Sequence, residues 1–130
     1  DKDVENLKIH FSTSGDDLPI ELAIQVDVDR KLVTLLSWMP FKTPENRRVP
    51  MAIAISAANN GLLDGSFDYN ILDGQIIFRM TSSYRESLLG KNLFAYMLLV
   101  SCQVIDDYND KFFAVAKTEM SVADILNYIE

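Results

Sequence analysis

The first forty residues alternate between hydrophobic and polar positions with period two. Leu7, Ile9 and Phe11 alternate with Lys8, His10 and Ser12. Ile20, Leu22, Ile24, Val26 and Val28 alternate with Glu21, Ala23, Gln25 and Asp27. Such alternation puts one set of side chains on each face of a half-buried strand. A third strand runs from Lys31 to about Phe41 and stops near Pro40 and Pro44. Gly15 with Asp16-Asp17 marks the first turn, and Asp29-Arg30 marks the second. A two-residue loop at Asp29-Arg30 makes Val26 face Val33, Ile24 face Leu35 and Ile20 face Met39, which defines a core side. The other side carries Glu21, Ala23, Gln25 and Asp27 with Leu32, Thr34, Leu36 and Trp38, so strand three is apolar on both faces.

The period then changes. Residues 48–61 hold Ile53, Ala57 and Asn60, with Ile55, Ala58 and Leu62, at helical spacing. Pro50 suits the first helical turn, and Asn60-Gly61 predicts a left-handed C-terminal cap. A hairpin follows, Ser66 to Leu72 and Gln75 to Thr81, around Asp73-Gly74. A two-residue loop there pairs Phe67 with Met80, Tyr69 with Phe78, Asp68 with Arg79 and Asn70 with Ile77. The last third is helical: a stripe from about Glu86 to Asp107 is followed by a second stretch from Asp110 to Lys117. Ser121 to Asp124 resembles a capping box before a short helix with Ile125, Leu126 and Ile129. The order β-β-β-α-β-β-α-α predicts one α+β domain over residues 1–130, a five-stranded antiparallel sheet with helices mainly on one face.

Composition changes this picture chiefly by exclusion. The chain has 130 residues, 12 basic and 19 acidic side chains and a net charge of −7. That balance disfavours phosphate-backbone binding and anionic membranes, so neither nucleic acid nor membrane is expected as a partner. The longest apolar run, Leu93 to Val100, is far short of a span, and no signal-peptide pattern precedes an apolar stretch. A cytoplasmic location is expected. Because the sequence starts at Asp1 rather than Met, a preceding segment is expected to be missing.

Few residues could carry chemistry. His10 is the lone histidine and sits on the polar side of strand one; a general base needs a partner that the sequence does not supply. Cys102 is the lone cysteine, set in an apolar helix between neutral Ser101 and Gln103, and reads as a structural thiol. The acidic cluster Asp106, Asp107 and Asp110 is the basis of one alternative, a metal-dependent enzyme, and Asp27 with Asp29 lacks an EF-hand's glycine and distal glutamate. Gly61, Gly65 and Gly74 match no phosphate loop. Arg79 is expected in a surface ion pair with Asp68 directly opposite. Arg47 and Arg48 are expected at a solvated helix start, where their charge mildly opposes the helix dipole. Trp38, with Leu32 and Leu36, marks the second sheet face either as a protein-binding surface or as a surface covered by a further N-terminal helix.

One stretch has a family look. It runs Asn59, then Gly65-x-Phe67, then Asp73-Gly74, then Phe78-Arg79, flanked by three strands before and a long helix ending in Asp106-Asp107-Tyr108. It resembles the YbjN family, described as bacterial sensory-transduction regulators, whose fold is similar to the type III secretion chaperones. The resemblance spans about Leu18 to Ala116. It implies structural roles for Asn59, Gly65, Phe67, Asp73, Gly74 and Arg79, and no catalytic residue or cofactor. It also implies a homodimer or a protein-binding module. The leading expectation is a non-enzymatic regulatory or chaperone-like domain that binds protein or peptide as a dimer. The main alternative is an immunity- or inhibitor-type protein steered electrostatically to a basic partner.

Overall fold

The computed structural model describes residues 6–14, 18–84 and 91–129. The expected turn at Gly15 to Asp17 and the expected helix start near Glu86 lie outside the described residues. The described elements are strands β1 (Asn6–Ser14), β2 (Pro19–Asp27) and β3 (Leu32–Lys42), helix α1 (Arg48–Asn60), strands β4 (Ser66–Asn70) and β5 (Gln75–Ser83), and helices α2 (Lys91–Lys117) and α3 (Val122–Ile129). The strands form one antiparallel sheet in the order β1-β2-β3-β5-β4, so the architecture is α+β. Ile20, Leu22, Ile24, Val33, Leu35, Ile76 and Phe78 project from one sheet face into a single buried core. Met51, Ala54 and Ala58 of α1, Met97, Ile105 and Phe112 of α2, and Ile125 and Ile129 of α3 complete it.

The β2–β3 register is the expected one: Val26 pairs with Val33 and Ile24 with Leu35. The loop, however, is not two residues. The last pair is Asp27 with Leu32, leaving four residues between them. A two-residue type I′ loop needs positive φ at both central positions, which Asp29 and Arg30 do not favour. Instead Lys31 alone takes φ 56°, and the Asp27 carboxylate accepts the Arg30 N–H at 3.0 Å. Both loops are centred on the same point, so the register survives the change.

The second hairpin does shift. Phe67 pairs with Phe78, Tyr69 with Ile76 and Asn70 with Gln75, two residues away from the register read off Asp73-Gly74. Gly74 is the last residue of a four-residue loop rather than the middle of a two-residue one. Its φ is 79°, its N–H bonds Asn70 O at 2.7 Å, and its O accepts the Thr43 N–H at 2.9 Å. A Cβ there would collide with the Thr43 backbone, so the glycine fits this approach for steric reasons as well as conformational ones. Because the shift is even, each side chain stays on its expected face. Arg79 now lies opposite Ser66, and its ion pair with Asp68 runs diagonally across the strands.

Two helical expectations also change. The stretches before Asp107 and after Asp110 belong to one unbroken 27-residue helix. No Pro or Gly interrupts 107–110, and Asn109 falls on the buried stripe with Ser101, Ile105 and Phe112. Gly61 has φ −98°, so α1 ends without a left-handed cap, through bonds from Gly61 N–H and Leu62 N–H to Ala58 O and Asn59 O. The Ser121–Asp124 capping box does form, with Asp124 N–H to Ser121 Oγ at 3.1 Å and Ser121 N–H to Asp124 Oδ2 at 3.4 Å.

The two arginines are not a solvated start. Arg47 is 8% exposed; its Nε donates to Val115 O at 3.0 Å and its Nη2 to Thr118 O at 2.6 Å. Its charge therefore complements the C-terminal dipole of α2. Arg48 donates to Thr43 O at 3.2 Å and Leu72 O at 2.7 Å. Each guanidinium reaches two backbone carbonyls at once, and this needs Arg's forked donors.

Replacing Arg47 with Met keeps the volume but loses both charged hydrogen bonds. The expected cost is about 2–4 kcal/mol of unfolding free energy in urea titration, with little rescue by Arg47→Lys. A loss under about 0.5 kcal/mol would contradict this role.

Candidate protein-binding surfaces

The sequence-predicted binding residues occupy the sheet face away from the helices. Two ladder rows cross all five described strands there. One runs Ser12, Glu21, Trp38, Ile77, Asp68, and the next runs His10, Ala23, Leu36, Arg79, Ser66. Leu32 lies two rows further along β3, opposite Asp27 and Ser83. Leu32, Leu36, Trp38 and Ile77 are half-buried, and none belongs to the core cluster or packs against it.

Local geometry sets this pattern. β3 alternates Val33, Leu35, Ser37 and Met39 inward with Leu32, Thr34, Leu36 and Trp38 outward. After Trp38 the β3–β5 pairing slips, resuming at Lys42 opposite Gln75. Pro40 lies in that irregularity, where its missing N–H costs no ladder bond. Trp38 therefore holds the last regular pair before the slip. Beside it, Ala23 is fully buried, leaving a shallow dimple of about 230 Å³ lined by His10, Ser12, Glu21 and Trp38 among others. The centre of the face is thus apolar. Its rim is polar, with Glu21, the Asp68–Arg79 ion pair and the Thr34–Thr81 hydroxyl contact at 3.2 Å. An apolar anchor inside a polar rim is the arrangement common to protein-binding hot spots.

Ile77 was not singled out by sequence reasoning. The signal was available, since Ile76-Ile77 makes β5 apolar on both sides just as β3 is. What was missing was the β3–β5 pairing, which sets Ile77 opposite Trp38 and which local patterning does not report. A second surface was also missed. Between α1, α2 and α3 lies an open groove of about 940 Å³ lined by Val49, Ile53, Ser56, Ala57, Tyr108 and Leu126 among others. None of its lining residues is charged.

The remaining motif residues have structural partners. Asn59 Nδ2 donates to Phe67 O at 2.9 Å, and its Oδ1 accepts the Phe67 N–H at 2.7 Å. Gly65 has φ 77°, and a Cβ there would meet the Arg79 carbonyl and the Phe78 ring. Phe67 is 2% exposed and makes edge-on contacts with Phe78, Tyr108 and Phe112. Asp73 accepts the Gln75 N–H at 2.9 Å. The set encloses and aims one hairpin.

The chemical candidates lie apart from this face. Cys102 is partly buried in α2; burial first, and the Asp106 carboxylate second, push its thiol above the ordinary range. Asp107 accepts the Gln103 side-chain amide at 2.9 Å. Among the described residues, no group of three His, Cys, Asp or Glu side chains could hold a metal ion, and no helix is long and apolar enough to cross a membrane. No family model, curated protein or solved structure matches this chain.

Two measurements check these placements. The Cys102 thiol should react with a disulfide reagent at pH 8 more slowly than free cysteine, because the raised pKa lowers its thiolate fraction. Equal or faster reaction would contradict the environment described. Trp38 is the sole tryptophan, so its emission should be quenched by acrylamide in the folded state. An unquenchable, blue-shifted emission would mean that the face is covered.

Proposed function

We propose that this domain is a non-enzymatic protein-binding module, regulatory or chaperone-like, that acts as a dimer in the cytoplasm. The observation that carries the reading is the apolar centre of Leu36, Trp38 and Ile77 on a sheet face that lies outside the core cluster. A half-buried Trp flanked by aliphatic side chains and ringed by polar groups is what an extended or helical protein segment would use as an anchor. The antiparallel sheet with a helix between β3 and β4 is compatible with the type III secretion chaperone-like arrangement that the YbjN resemblance implies. A lone cysteine without a disulfide fits a reducing compartment.

The test is capture of native partners from the source cell by the wild type, Trp38→Ala and Leu36→Asp. Both substitutions are expected to abolish a specific capture while changing unfolding free energy by less than about 1 kcal/mol, since neither side chain packs in the core. Capture unaffected by both would remove this face as the binding surface.

A further inference from the structure

The sheet has two outer edges, and the chain treats them differently. On β4, the Asn59 side-chain amide bonds both the N–H and the C=O of Phe67. An amide used this way imitates the next strand's peptide and occupies the edge at Phe67. α1 lies against β4 and covers it further. At the other end, β1 contacts only β2 among the described elements. Its helix-side residue Ile9 is 54% exposed.

The Asn59 contact also fixes which backbone groups face out at β1. In an antiparallel ladder, each residue's N–H and C=O point to the same neighbour, and the direction alternates along the strand. Phe67 points away from β5, so Phe78 opposite it points toward β3 and bonds Ser37. Ser37 therefore points away from β2, and its partner Leu22 points toward β1 and bonds Phe11. Alternation then leaves the N–H and C=O groups of Lys8, His10 and Ser12 facing outward.

We infer that the β1 edge pairs with β1 of a second copy of this chain, antiparallel and about a two-fold axis at His10, to make one continuous sheet. This deepens the dimer component of the proposed function. The register puts His10 opposite His10 of the second copy and Lys8 opposite Ser12, each pair joined through the outward groups just identified. On the helix side it puts Ile9 opposite residue 11. Charge within the strand permits a second copy as the occupant. Copies of a chain with net charge −7 repel one another, yet β1 contains no carboxylate, and the centred register opposes no two lysines. Growth also stops at two, because a two-fold contact uses β1 on both copies and leaves outward only the β4 edges, where Asn59 occupies the Phe67 groups and α1 lies alongside.

The test is light scattering with size exclusion at about 100 μM, above the Kd of a micromolar dimer. The wild type is expected to be a dimer. His10→Pro removes an outward N–H without touching the bonds to β2, and His10→Glu sets two carboxylates face to face at the axis. Both are expected to be monomers with wild-type circular dichroism, and the glutamate variant serves if the proline variant fails to fold. Ile77→Asp on the far face should leave the dimer intact. A monomeric wild type, or a dimer that persists in the folded His10 variants, would overturn the inference. A dimer lost in Ile77→Asp but kept in His10→Glu would place the contact on the far face and spare the proposed function.

Discussion

Two adjacent guanidinium groups hold this fold together at the point where sheet and helices meet. Arg47 binds carbonyls in the last turn of α2 and just beyond it, and Arg48 binds Thr43 and the β4–β5 loop at Leu72. The Tyr69 hydroxyl donates to Arg48 O at 3.2 Å, and Thr43 bonds Gly74 through its backbone. Six residues, 43–48, thereby register the end of β3, the tip of the second hairpin, the start of α1 and the end of α2. The arginine bonds answer carbonyls at a helix C-terminus, after a strand end and in a loop, which the local secondary structure leaves without a partner, and this is why removing the donor is costly.

That junction determines what the rest of the sheet can bury. With α2 held at its C-terminal end and α1 against β4, the three helices gather on one face, and the core draws on one set of alternate positions from each strand. The opposite positions of β3 and β5 are nevertheless apolar at Leu32, Leu36, Trp38 and Ile77. A strand that is apolar on both sides normally lies between two layers. Here the second layer is not among the described elements of the chain, and the same one-sidedness leaves β1 with a single neighbour.

Much of the fold was legible in the sequence because period-two and helical patterns are local. The β2–β3 register could be read correctly even though the loop length could not, since four residues centred on the same point preserve the pairing. The β4–β5 register could not be read. Asp73-Gly74 carries the strongest turn signal, but Gly74's position is set by its approach to Thr43, thirty-one residues away, and no local rule reports that. The arginine pair was opaque for the same reason. The carbonyls that it satisfies lie 68 and 71 residues from Arg47. Asn59 was visible as part of a motif, but its action as a stand-in strand arises only once the fold brings it against Phe67. Trp38's place on the sheet face away from the core was legible from alternation alone, whereas its link to Ile77 needed the β3–β5 pairing.

The account rests on a sheet with one edge closed and one open, and amide hydrogen exchange followed residue by residue tests it directly. In dilute protein, the Phe67 amide should be protected although it lies on an outer strand, as should those of Ile9 and Phe11. The amides of Lys8, His10 and Ser12 should exchange freely and gain protection as concentration rises. Free exchange at Phe67, or protection of Lys8, His10 and Ser12 in dilute protein with Ile9 and Phe11 exposed, would contradict it.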